Sequence, residues 1–179
     1  MCQPFLFRWD GQYDNEKTDE TFRYVEWNAL LEEVRNLSNS RHCNYDGRYH
    51  AGGRHIVRRL IFSDRDEIWL ARVPIISTSE YYDLGANSGW WTAERKFVME
   101  SEIATMKYIT TATSLPIPAV FGYQTSVDSN PVKVPYLLMQ CIKGNMLYDL
   151  GGPGILSQEQ KEKVRMSIAT IQVSVNKSF

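Results

Sequence analysis

The chain has 179 residues, 43% hydrophobic and 23% charged, with a formal net charge of -1. That length builds one domain with a real core, or one lobe with extensions. A near-neutral charge provides no broad field for nucleic acid or an anionic membrane, and no apolar run is long enough for a transmembrane helix.

In chain order, residues 1–20 are polar and aromatic without a period and read as a poorly ordered arm. Met1–Asp10 lacks the basic region and long apolar core of a secretory leader. From about Phe22 to Leu37, the residues Trp27, Leu30, Leu31, Val34 and Leu37 fall at helical spacing and predict a helix that stops at Ser38-Asn39-Ser40. Gly47–Gly53 reads as a loop. His55–Phe62 and Ile68–Ile75 read as two strands of a hairpin turning at Ser63–Asp66. Residues 76–91 form a long loop, and a helix is predicted from about Thr92 to Thr111, stopped by Pro116 and Pro118. Val120–Ser126 and Pro135–Ile142 predict a second strand pair. Gly144, Gly151, Gly152, Pro153 and Gly154 make a connection into a last helix. Ser157 can cap that helix while Gln160 reaches back, and its stripe is Val164, Ile168, Ile171 and Val175. The sum is an α+β chain with a mixed, largely antiparallel sheet and a helix packed on it.

Cys2, Cys43 and Cys141 are odd in number, scattered, and without metal-ligand spacing. They read as free thiols in a reducing compartment, hence a cytoplasmic protein.

Two charges fall on faces that should be buried. Arg72 alternates with Ile68 and Leu70 along its strand. Glu102 lies in the helical stripe Met99, Glu102, Ile103, Met106, Ile109. Each needs a partner if enclosed, and each is the natural partner of the other. Alternatively, both are edge charges that snorkel to water. Gly52-Gly53 precedes the first hairpin strand. The pair is a plain turn or, with Arg54 and His55 following, a turn that could sit over an anion.

Five stretches in order carry a resemblance: Gly52–Phe62, Trp69–Pro74, Glu100–Ile109, Leu115–Tyr123 and Val134–Leu147. Together they resemble the nucleotide-binding small lobe of the aminoglycoside phosphotransferase family, the protein-kinase-like phosphotransferases, in its fungal branch. Leu115-Pro116-Ile117-Pro118 is the most specific short motif, and its role is structural. The resemblance implies residues 1–44 as an N-terminal arm and helix, 45–143 as the kinase-like small lobe, and 144–179 as hinge exit and the start of a truncated large lobe. It implies ATP as cofactor, with Gly52, Gly53, Arg72 and Glu102 at the phosphates and Gln140, Cys141 and Ile142 at the adenine edge. Arg72 stands where other kinases carry Lys; its fork can hold two oxygens.

Such an enzyme orients the acceptor hydroxyl with an Asp in an H-G-D-like pattern, then holds magnesium with a downstream Asn and Asp. The histidines are His42, His50 and His55, and no H-x-D follows the hinge. Asp149-Leu150-Gly151 resembles a metal-binding D-F-G, but it follows the hinge too closely and reads as linker. Magnesium is therefore not expected to be held by this chain. Three functions remain open. The chain is a phosphotransferase fragment, inactive alone. It is a non-catalytic, pseudokinase-like module that binds a nucleotide or a partner. Or it is a globular domain unrelated to kinases. The expected partners are a nucleotide, and a complementing large lobe or a second copy; nucleic acid and membranes are not expected.

Overall fold

A computed structural model describes residues 15–39, 42–76, 90–144 and 151–176. Residues 77–89 of the long loop, the Asn145–Leu150 segment with Asp149, and Cys2 lie outside them.

The N-terminal arm expected over 1–20 is helical from residue 15. Helix α1 spans Asn15–Tyr24. It buries Thr18 and Thr21 rather than an apolar stripe. Thr21 Oγ donates to Lys17 O at 2.8 Å and accepts from Ile76 N–H at 2.9 Å, which ties α1 to the segment leaving the sheet. Helix α2 spans Trp27–Ser38, starting later than the apolar period suggests. Glu26 has non-helical angles (φ -79, ψ 76), and its N–H donates to Val132 O at 3.2 Å. A distant carbonyl thus divides one periodic stretch into two helices. Leu30, Leu31 and Val34 are buried, whereas Leu37 is half exposed. Asn39 closes α2 in the left-handed region at φ 55.

The segment read as a loop, Gly47–Gly53, belongs mostly to a strand. β1 runs Cys43–Ala51, followed by β2 (His55–Phe62) and β3 (Ile68–Pro74). Gly47 sits at φ 80 within β1, and the pairing with β2 shifts register between Tyr45 and Tyr49. This bulge breaks the alternation that would have marked the strand. Helix α3 spans Ala93–Ala112, capped by Thr92, whose hydroxyl accepts from Arg95 N–H at 3.3 Å. β4 (Val120–Gln124) and β5 (Tyr136–Gln140) join them, and among the described residues the antiparallel sheet has five strands in the order β1-β2-β3-β5-β4.

The sheet has two covered faces. Trp69, Ala71 and Val73 of β3 point to the larger core, with Ile56, Leu60, Leu138 and the α2 residues Leu30 and Val34. Trp69 stacks on Phe121 at 4.0 Å between ring centroids. The other face carries Leu70 and Arg72, opposite Met139 and Leu137 of β5. Met99 and Ile103 of α3 close over Leu137, with Met106, Val120 and Met139 at the margin. Alternation along β3 therefore sends apolar residues to α2 and Arg72 to α3.

The last helix, α4, spans Gln158–Asn176. Ser157 N–H donates to Gln160 Oε1 at 2.8 Å and Gln160 N–H donates to Ser157 Oγ at 3.2 Å, the reciprocal cap its sequence predicts. Val164, Ile168 and Ile171 are exposed on it. The side chain of Val175 is outside the described set. Among the described residues, no helix is long and apolar enough to cross a membrane.

Candidate functional site: an ion pair between strand and helix

Arg72 Nη2 donates to Glu102 Oε2 across the interface of β3 and α3. The two charges that the sequence placed on inward faces therefore meet. Their surroundings differ: the Arg72 side chain is 17% exposed and that of Glu102 is 40% exposed. The Arg72 side chain is largely enclosed, while that of Glu102 keeps one side wet. The hydrogen bond from Arg72 holds the Glu102 carboxyl below the usual glutamate range, with burial opposing and the Arg72 charge assisting. An arginine fixed through one arm of its fork keeps donors for an anion on the other.

The glycine turn lies at the same end of the sheet. His55 pairs with Pro74, and Val57 pairs with Arg72. The turn is closed by Gly52 N–H donating to His55 O at 2.8 Å, and Ile75 N–H holds Arg54 O at 2.8 Å. Gly52 is not among the glycines with positive φ. A Cβ there would meet only His55 O at 3.9 Å, an ordinary contact. The fold itself does not require a glycine at 52.

The third group of predicted residues lies at the other end of β3. Gln140 N–H donates to Ala119 O at 2.8 Å and Cys141 N–H to Ile68 O at 3.0 Å. Those two amides are thus engaged by the sheet, and their N–H groups cannot also face a base. Ile142, half exposed, is the first predicted hinge residue beyond the ladder. Burial pushes the Cys141 thiol up, so it is a poor nucleophile at neutral pH. An open depression of about 440 Å³ lies here, between Asp66 and Glu67 of the β2–β3 turn, Pro116-Ile117, and Gln140–Lys143. Pro116 and Ile117, read from the sequence as structural only, form one of its walls. From Ile68 to Arg72 is four strand residues, about 13 Å.

One residue at the turn gains importance from the structure. Burial, and then the positive charge of Arg72, push the His55 imidazole down to about 4, against an opposing pull from Glu102. His55 is thus neutral beside the ion pair. Sequence placed it after the turn but provided no link to Glu102, which is distant in the chain. Among the described residues, no group of three or more His, Cys, Asp or Glu is arranged to hold a metal ion.

Comparison with known proteins gives a short match. The chain is 39% identical over 51 residues to a subtelomeric hrmA-associated cluster protein of Aspergillus fumigatus, in each of two strains. The match covers 28% of this chain and 10% of each relative, so the chain spans about a tenth of the length of the curated relatives it matches. No family model matches the chain. No solved structure matches it.

Proposed function

We propose that the sheet, with α3 across it, is a kinase-like small lobe of the aminoglycoside phosphotransferase type, and that it captures ATP. The observation that carries this reading is the Arg72–Glu102 ion pair between β3 and α3. A cation on a strand, held by a carboxylate on the adjoining helix, is the arrangement kinases use to neutralise nucleotide phosphates. Arginine adds a planar fork suited to phosphate oxygens.

Three further features support it. The Gly52-Gly53 turn lies at the Arg72 end of the sheet, with no side chain to obstruct an approaching phosphate. Gly52 N–H is engaged in closing the turn on His55 O, so backbone donors beside the guanidinium would come from Gly53 onward. Ile142 and the depression beside it lie at the opposite end of β3, a separation an extended nucleoside polyphosphate can bridge. The base edge then meets backbone groups from Ile142 onward, since the amides of Gln140 and Cys141 are engaged.

In this reading the parent reaction is transfer of the terminal phosphoryl group of ATP to a small-molecule hydroxyl. The residues present perform capture, not transfer: the acceptor-orienting H-G-D pattern does not occur after the hinge in this sequence. Capture without transfer is common to a phosphotransferase lobe that works with a complementing large lobe and to a pseudokinase-like module. α4 would then be the surface on which a large lobe or a second copy rests.

Isothermal titration calorimetry with ATP tests the proposal. The wild-type chain should bind ATP saturably. Arg72→Met, which keeps an unbranched apolar stem without the charge, should weaken binding roughly tenfold or more, the value of a lost charge-assisted hydrogen bond. A chain that binds no ATP, or a folded Arg72→Met variant with unchanged affinity, overturns it. Purified chain should transfer no phosphoryl group to an aminoglycoside or other small alcohol; turnover that follows the protein through purification contradicts the division between capture and transfer.

A further inference from the structure

We propose that His55 is a third phosphate ligand, donating a ring N–H to an oxygen beside the one held by Arg72, and that it makes nucleotide capture proton-coupled. The inference rests on the nucleotide-capture reading above and goes beyond it, since it assigns a residue and a pH response that the ion pair alone does not imply.

The geometry behind it is a cluster. His55 opens β2 where the glycine turn ends, and its carbonyl closes that turn through Gly52 N–H at 2.8 Å. It pairs with Pro74 on the strand that carries Arg72 two residues earlier. Strand alternation puts His55, Val57, Arg72 and Pro74 on the α3 side of the sheet, where Glu102 approaches. The imidazole is partly buried, and among the described residues neither ring nitrogen takes a hydrogen-bond partner. Neither ring nitrogen is among the enclosed, unpartnered polar atoms of the described residues, so both stay open to solvent and to an approaching anion. The charged groups around it are Arg54 on the turn, Arg72 on β3 and Glu102 on α3. His50, on β1 opposite Val57, shares the same face.

This balance gives His55 a direction of response. With no anion bound, burial and the two arginines keep the ring neutral, pushed down to about 4. A phosphate dianion placed between Arg72 and the turn reverses the local charge, so the imidazolium form becomes favourable and the value rises. Binding then takes up a proton in the interval between the free and bound values. Affinity increases as pH falls through that interval, by up to about tenfold per pH unit for a single coupled proton. A neutral His55 still donates one N–H at pH 7, so the residue contributes to binding above the interval as well.

The test is a histidine-detected NMR titration of the full chain, with and without ATP, alongside calorimetry of the His55→Gln variant. The His55 ring should titrate near 4 in the free protein and at least about one unit higher with ATP bound. His55→Gln, which keeps a donor but cannot take a proton, should take up fewer protons than wild type with the same nucleotide, so that the nucleotide's own ionisation cancels, and its affinity should rise less than that of wild type as pH falls from 6 toward 4. ATP binding that depends on Arg72 but leaves the His55 titration unmoved overturns the His55 assignment and preserves the capture reading. Absence of ATP binding to the wild type overturns both. The NMR arm uses the wild-type fold, so instability of His55→Gln does not decide the outcome.

Discussion

Removing Glu102 should expose how much the ion pair contributes to the fold. Glu102→Gln leaves Arg72, whose side chain is 17% exposed, facing a neutral amide. A fully enclosed pair broken at one end loses about 3–5 kcal/mol. A fully exposed pair loses about 0–1 kcal/mol. Glu102 is 40% exposed, so water screens the carboxylate and can reach toward the stranded cation. The expected loss lies between those limits, about 1–2 kcal/mol. For a chain of this size that lowers Tm by roughly 3–6 °C. Urea unfolding followed by tryptophan fluorescence is the assay, with Arg72→Met and the double variant completing a cycle. The coupling energy should be about 1 kcal/mol or more. It should also fade on acidification. Because the folded Glu102 carboxyl is held below its unfolded value, its stabilisation is complete above the unfolded pKa and disappears as pH falls through the depressed folded value. A coupling below about 0.3 kcal/mol, within the error of such cycles, would refute the claim that the helix holds the arginine in place.

Three other outcomes follow from the same geometry. The His55 value is pushed down to about 4 on folding, so stability should decline as pH falls from about 6.5 toward 4 and then level off, by up to about 2 kcal/mol after allowance for partial exposure; His55→Gln should flatten that limb in urea melts across pH. Gly52→Ala should fold with stability within about 1 kcal/mol of wild type, because no positive φ or close contact forbids the methyl, yet it should weaken ATP binding in calorimetry. Val164, Ile168 and Ile171 leave apolar surface on α4, so light scattering should report concentration-dependent association that Ile168→Lys with Ile171→Lys abolishes; a concentration-independent monomer contradicts this.

The elements legible in the sequence are those whose own residues dictate them. β2 and β3 hold dense β-branched and aromatic residues with a turn between, and they form where expected. α3 begins next to Thr92, close to where its residues place it, and α4 announces its start through Ser157 and Gln160. What sequence hid depends on distant groups or on interrupted patterns. β1 is polar along its outer side and broken at Gly47, so no period of two survives. α1 buries threonines whose partners include Ile76 N–H, 55 positions away. The break before α2 is set by Val132 O, more than a hundred residues downstream. At the site, two periodicities aimed Arg72 and Glu102 at one interface but left open whether they would pair or reach to water; the resemblance, not the spacing, favoured the pair. The engagement of the Gln140 and Cys141 amides was not legible, since it depends on strand register with Ala119 and Ile68.

The central claim is that ATP phosphates meet Arg72 beside the glycine turn. The most direct measurement is an amide and arginine side-chain NMR spectrum recorded through an ATP titration. The account predicts saturable shifts concentrated at Gly52–His55, at the Arg72 guanidinium and at Glu102, with a second group at Ile142. Spectra unchanged by millimolar ATP, or shifts confined to surfaces away from the β3–α3 interface, would contradict it.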